Sequence, residues 1–218
     1  MIASKDKLQK VRFVVDVDTQ KHFFLNTSKV CVWNHRLVLT NIMRVIRWAH
    51  SADIHMISTV QILNGYAKFL FNGTEGQKKI RHTLWQRYIS FDPTDCTDLL
   101  PGIFEEYEQV VFCKRCFDPF AEPRVDRMLS ESAADEFILV GAATEGAVKA
   151  TALGLLARHK KVTVLIDATG SYNRMAGQTT LRLLKERGAK LTKTESLLGS
   201  SPFQQWGRRI LARAAGGF

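Results

Sequence analysis

The sequence predicts an α/β fold: a three-layer αβα sandwich on a mainly parallel sheet of about six strands, with Rossmann-type topology. Three observations carry this. Short β-rich segments alternate along the chain with longer segments of helical spacing, the order that builds βαβ units. Most of the short segments are apolar almost throughout, as strands buried on both faces are. A chain of 218 residues can bury one large core, and a second independent core would be a stretch.

The strands are read, in order, at Val11 to Val17, Asp53 to Thr59, Gln109 to Cys113, Glu136 to Gly141 and Lys161 to Ile166, with a weaker sixth including Ala189 to Thr192. Between them, Arg36 to His50, Pro123 to Ser132, Gly146 to His159 and Met175 to Arg187 place apolar residues at helical intervals. The stretch from Ile62 to Tyr107 is less regular. Its Gly, Pro, Asp and Thr content predicts loops around one short helix near Lys78 to Tyr88. Residues 1–199 then form the domain. Residues 200–218 carry Phe203, Trp206, Ile210 and Leu211 among Arg208, Arg209 and Arg213, the pattern of a basic amphipathic helix packed on the domain or on a subunit partner.

Composition narrows the function classes. The start of the chain has no apolar signal core and no apolar run is long enough to span a bilayer, so a cytoplasmic protein away from membranes is expected. Four Cys without regular spacing are expected as reduced thiols. The pair Cys113-Lys-Arg-Cys116 lacks a second metal-binding pair, and Cys113 closes an apolar strand, so neither a metal nor a redox site is expected there. The formal charge is +10, with basic residues scattered through most of the chain. No nucleic-acid reading motif or aromatic platform accompanies that charge in the sequence, so it is read as a general attraction for anions.

Ligands of parallel sheets collect beyond the carboxyl ends of the strands. Three strand ends bear polar groups there. The first gives Asp16-Val-Asp18-Thr-Gln20-Lys-His-Phe23, with both carboxylates placed toward one side of an extended chain. The third gives Cys113-Lys114-Arg-Cys-Phe117-Asp-Pro-Phe120. The fourth runs Phe137-Ile-Leu-Val-Gly141-Ala-Ala143-Thr144-Glu-Gly146-Ala147-Val148, crossing from strand to helix over Ala143 to Ala147. Such a turn aims free backbone N–H groups at a ligand. Taken singly, Asp18 could equally cap a turn and Lys114 be a solvated surface group.

Taken in series, these segments resemble the isochorismatase-like hydrolases of the cysteine hydrolase superfamily. Asp18, Gln20 and Phe23 match that family's Asp-x-Gln-x-x-Phe, and Lys114, Phe117 and Phe120 match its Lys followed by aromatic residues. Gly73-Thr-Glu-Gly76 matches a Gly-Thr-x-Gly loop. Thr144, Val148, Thr151 and Ala152 match a turn of the form Thr-x-x-Cys-Val-x-x-Thr-Ala, with Ala147 where the nucleophilic Cys would stand. The resemblance implies catalytic positions at Asp18, Lys114 and the unreactive Ala147, and substrate contacts from Gln61, Phe23, Phe117, Ala143, Thr144 and Gly146. It implies a small, anionic or amide-like substrate, a homo-oligomer and no cofactor. Relatives that hold a metal use Asp-x-His after the second strand; Thr59-Val60-Gln61 has neither residue, so no metal is expected.

A methyl side chain can neither attack nor ionise, so covalent amide hydrolysis through position 147 is lost. Three explanations remain open. The chain is a thiol-free hydrolase, as the isochorismatases proper are, cleaving a vinyl ether with Asp18 as proton donor, Gln61 on the substrate and Lys114 facing its carboxylates. Or it is a catalytically silent member that binds ligand or assembles. Or Ala147 replaces an original Cys by design. Glu145, acidic and at the turn itself, is expected to repel a dicarboxylate such as isochorismate.

Overall fold

In the computed structural model, residues 11–62 and 73–199 are described. The helix expected over 200–218 lies outside them. Seven strands form one sheet: β1 (Arg12–Val17), β2 (Met56–Gln61), β3 (Tyr88–Phe91), β4 (Gln109–Lys114), β5 (Glu136–Ala142), β6 (Val162–Gly170) and β7 (Lys190–Thr192). Their order is β3-β4-β2-β1-β5-β6-β7. Every neighbouring pair is parallel.

The expected count of about six is corrected to seven. The added strand, Tyr88–Phe91, begins at the last residue of the interval Lys78 to Tyr88 where a helix was expected; in place of that helix stands only a 3-10 turn at Arg81–Thr83. An edge strand of four residues alternates between exposed and half-buried side chains, so it carries no buried apolar run to read.

Helices α1 (Lys21–Phe24), α2 (His35–Ser51), α3 (Gly73–Gln77), α4 (Ile103–Glu106), α5 (Pro123–Glu131), α6 (Lys149–Ala157), α7 (Arg174–Glu186) and α8 (Thr194–Leu198) complete the described elements. Two apolar clusters divide them into layers. On one face Val38, Ile42, Val45, Ile46 and Ala49 of α2, with Leu197 of α8, pack on Val14, Met56, Ile138 and Val140. On the other, Val125 and Leu129 of α5, Val148 to Leu155 around α6, and Leu184 of α7 pack on Phe13, Val15, Ile57, Val110 and Leu139. Odd and even residues of β1 thus enter opposite layers, as the pleat requires.

Local chemistry explains the helix starts. Pro123 stands in the first turn of α5, where its missing N–H costs nothing. The Asn173 side chain accepts from the N–H groups of Met175 and Ala176 to cap α7. Helix α6 admits the Phe120 ring against Gly154, where a Cβ would come within 2.1 Å of the ring. From β1 the sheet extends through β2 and β4 to one side and through β5 and β6 to the other, so the strand order reverses between β1 and β5, and the crevice where ligands of such sheets collect is expected between their carboxyl ends.

Candidate active site

Asp18 lies just past β1 with φ +49°, a left-handed conformation that turns its side chain out of the strand's alternation. Its carboxylate is fully buried and doubly engaged. Lys114 Nζ donates to Oδ2 at 2.7 Å and the Thr59 hydroxyl donates to Oδ1 at 2.6 Å. Lys114, at the end of β4, is also fully buried, and its ammonium reaches Asp18 across the intervening β2. A second N–H of Lys114 goes to the Cys116 carbonyl at 3.0 Å. An ammonium has three donors, so one N–H of Lys114 has no acceptor among the described residues.

Gln20 holds the neighbouring strand end in place. Its side-chain amide accepts from the Gln61 N–H at 2.9 Å and donates to the Gln61 carbonyl at 3.0 Å, while a second donor contact reaches the Gln77 carbonyl at 2.6 Å. Gln61 is buried and pairs in register with Lys114. Residues 75–80 cross over the exit of β1 as a strap. Lys21 N–H donates to the Lys78 carbonyl and Ile80 N–H to the Thr19 carbonyl, at 2.9 and 3.0 Å. The His22 ring meets the Gly76 carbonyl at 2.6 Å. Burial holds His22 below its usual pKa, against opposing pulls from that carbonyl and from the Asp18 charge.

The turn after β5 is shaped by Gly141, whose φ is +121° and where a Cβ would lie 1.9 Å from the Val17 carbonyl oxygen. Only glycine lets β5 approach β1 this closely. Residues Thr144–Val148 make one wide helical turn that leads into α6. Thr144 donates its hydroxyl to the Gly170 carbonyl at 2.9 Å. Ala147 and Ala143 are buried, and Ala147 belongs to the apolar layer beneath α6. The N–H groups of Gly146 and Val148 both return to the Ala143 carbonyl, at 3.0 and 3.1 Å. The turn's donors are therefore partly spent within it, which corrects the expectation that they stand free.

Phe23 is buried in the same cluster as Ala143. Phe117, half exposed, lies over the turn, its ring 3.8 Å from where a Gly146 Cβ would be. Phe120 instead supports α6 under the Arg158 guanidinium, 3.8 Å from its ring centre. Glu145 does not project free charge: its carboxylate accepts from the Ser171 hydroxyl at 2.6 Å and from the N–H groups of Tyr172 and Asn173 at 2.9 and 3.3 Å. The expected repulsion of a dicarboxylate is weakened accordingly.

Tyr172, which sequence reasoning missed, sits 6.0 Å from the Phe23 ring. Burial and the charges of Glu145 and Asp18 push its phenol pKa up, so it stays a neutral donor. The expected end of β6 at Ile166 hid it; the strand runs to Gly170 and delivers Tyr172 to the crevice.

A second buried pair lies two residues before Asp18. Asp16 takes the Thr19 hydroxyl on one oxygen and the Lys79 ammonium on the other, with the Ser58 hydroxyl at 3.5 Å. Ser58 in turn accepts from Gln109 at 2.8 Å. Burial and Asp92 push the Cys113 thiol up to about 11, and Cys116 donates to the Asp118 carbonyl at 3.3 Å. Among the described residues no three metal-binding side chains converge. An apolar groove of about 470 Å³ opens between Val11, Phe13, His55, Leu100, Ile103 and Met128, at the opposite, amino end of the strands.

No curated protein matches the chain in sequence. An isochorismatase-like hydrolase from Alkaliphilus metalliredigens superposes with TM-score 0.68 at 20% identity, over 87% of this chain and 98% of that one. The nicotinamidase PncA of Bacillus subtilis gives 0.65 at 17% identity, over 84% and 99%. The MAR1 ribonuclease of Caenorhabditis elegans gives 0.62 at 20% identity, over 92% and 89%. These likenesses show the fold. The isochorismatase domain profile matches residues 13–196, most of the chain and the whole sheet but for Arg12, and the chain therefore belongs to the isochorismatase family.

Proposed function

We propose that this protein is a thiol-free hydrolase of a small anionic metabolite, with Asp18 as acid and base and Lys114 as its electrostatic partner. The observation that carries the reading is the fully buried Asp18–Lys114 contact of 2.7 Å at the crevice where the sheet order turns. A buried ion pair of this kind is costly unless well satisfied, and this one keeps a spare ammonium donor. Relatives of known fold include a nicotinamidase and a ribonuclease, so the fold by itself selects no substrate.

For an enol ether the chemistry balances without a nucleophilic side chain. Asp18, whose oxygens accept from Lys114 and Thr59 in the free protein, must first take up a proton from solvent as substrate binds; it then donates that proton to the terminal alkene carbon, and the cation left beside the ether oxygen is captured by water. A proton returns from the adduct to Asp18, and the hemiketal collapses to an alcohol and a carbonyl compound. Lys114 and the Tyr172 hydroxyl provide donors for the substrate's anionic groups. Gln61, Phe23, Phe117, Ala143, Thr144 and Gly146 supply its surroundings.

The closed hydrogen bonds from Gly146 and Val148 to the Ala143 carbonyl favour a second reading, a binding protein without turnover, because they occupy donors that an oxyanion would need. A screen of enol ethers, esters and amides separates the two. Turnover by the native chain that disappears in Asp18→Ala supports hydrolysis. Turnover only after Ala147→Cys supports a chain without activity of its own.

A further inference from the structure

In the sequence the positive charge lacks an aromatic platform; the fold assembles one from segments far apart in the chain. Trp33 is 55% exposed and Tyr172 39% exposed. The Trp33 N–H donates to the Ser171 carbonyl at 3.0 Å, which sets the two aromatic residues on adjoining backbone at the crevice rim. The Arg174 guanidinium lies 6.0 Å from the centre of the Trp33 ring. Helix α2 starts directly after Trp33. Its exposed face carries Arg36 and Arg47, with Arg44 partly exposed beside them. At 100° per residue, Arg36 and Arg47 fall about 20° apart around the axis and roughly 17 Å apart along it. Val38, Ile42, Val45 and Ala49 fill the opposite face.

Nothing acidic interrupts this surface along either chain segment. Lys21 to Ala52 holds five Lys or Arg and no Asp or Glu, and Ser171 to Lys185 holds no acidic residue. Among the described residues none of Arg36, Arg44, Arg47 and Arg174 makes an ion pair. The nearby Glu145 carboxylate is taken up by three hydrogen bonds. A row of guanidiniums without carboxylate partners among the described residues, Arg44 donating to the Asn41 amide oxygen at 3.1 Å, ends in exposed aromatic rings and has the chemistry of a phosphate track with base-stacking platforms. An isolated charge row is a solvated helix face; stacking partners at its end distinguish this one.

We infer that the exposed face of α2, continued by Trp33, Arg174 and Tyr172, binds single-stranded nucleic acid. Tyr172 borders the Asp18–Lys114 site, whereas Trp33, Arg174 and the arginines of α2 have no place in the proposed hydrolysis, and the test reads binding at those residues rather than turnover.

The experiment titrates the full chain into a fluorescein-labelled oligouridylate of about 20 nucleotides, followed by anisotropy between 50 and 200 mM KCl. Binding weakens with salt, each phosphate contact contributing about −0.7 to the logarithmic slope. Arg36→Glu/Arg47→Glu weakens binding ~10-fold or more and flattens the slope by about 1.4. Trp33→Ala weakens it ~10-fold at an unchanged slope, because stacking carries no counterions. Arg182→Glu/Lys185→Glu, with the same change of net charge on the exposed side of α7, stays within about twofold. Absence of binding at 50 mM KCl overturns the inference. So does an equal loss in the α7 control, an unaffected Trp33→Ala, or equally tight binding of inorganic polyphosphate.

Discussion

Asp16 and Asp18 stand two residues apart at one strand end, each buried against a lysine, and they illustrate two uses of the same pair. Asp16 remains in the sheet, and its partner Lys79 comes from the strap that crosses β1. Its surroundings are closed by Thr19, Ser58 and, through Ser58, Gln109. Asp18 has left the strand through a left-handed turn, and its partner comes from β4, already tied to β1 through β2. The first pair joins a loop to the sheet. The second adds little to the topology, and Lys114 keeps a donor unspent. Burial alone does not distinguish the two; the origin of the lysine and its remaining hydrogen-bonding capacity do.

Removing one lysine tests this most severely. Lys79→Met and Lys114→Met each strand a buried carboxylate, and each is expected to lower unfolding stability by about 3–5 kcal/mol, read from urea titration at pH 7. A loss under 1 kcal/mol at either site would mean that water reaches that carboxylate.

The next largest effect separates the pairs. Replacing both partners by apolar side chains leaves no orphan charge, so Asp16→Leu/Lys79→Met and Asp18→Leu/Lys114→Met should each regain most of the stability, to within about 2 kcal/mol of the native chain. Hydrolysis of any substrate found for the native protein should persist in the first double variant and vanish in the second. Equal loss of turnover in both would place Asp16 within the chemistry as well.

Sequence showed Asp18 and Lys114 because each follows a strand end and the two occur in the family's order. It showed Asp16 only as a second carboxylate on the same side. Lys79 could not be matched to it, since their contact joins residues 63 apart through an irregular strap without periodicity. Thr59 was visible only as part of a short motif, although its hydroxyl holds Asp18. Strand β6 was read too short because Asp167 and Thr169 break its apolar run; Asp167 in fact caps α8 through Thr194. Tyr172 was lost with that strand's end. The buried strands β1, β4 and β5 were readable because burial on both faces demands continuous apolar residues, whereas β3 escapes that demand at the edge.

A smaller effect comes from His22, which touches the strap next to Asp18. The folded protein holds this imidazole below its usual value, so on acidification the unfolded chain takes up the proton first. Its contribution to stability is fully present above about pH 6.5 and is lost as pH falls from there toward the depressed folded value. The urea midpoint should therefore rise between pH 5.5 and 7.5, and His22→Gln should flatten that rise. An unchanged slope in the variant would assign the proton uptake to another group.

The smallest effect lies at the outer end of the same strap. Glu75 is bonded by Lys21 and Lys78, and these hydrogen bonds lower its pKa to about 2 from an ordinary 4.5. With the folded value depressed, its contribution is present above pH 4.5 and disappears as pH falls through about 2. The group is fully exposed, so solvent and salt screen it, in contrast with the buried Asp16–Lys79 contact a few residues away. Glu75→Gln should remove a shallow slope of stability between pH 4.5 and 2, and the variant should converge with the native chain in about 1 M salt, where the Debye length is about 3 Å. Lys79→Met should keep its deficit at that salt concentration. If salt abolished both effects, the strap would be held by surface charge, and the distinction between its buried anchor and its exposed one would fail.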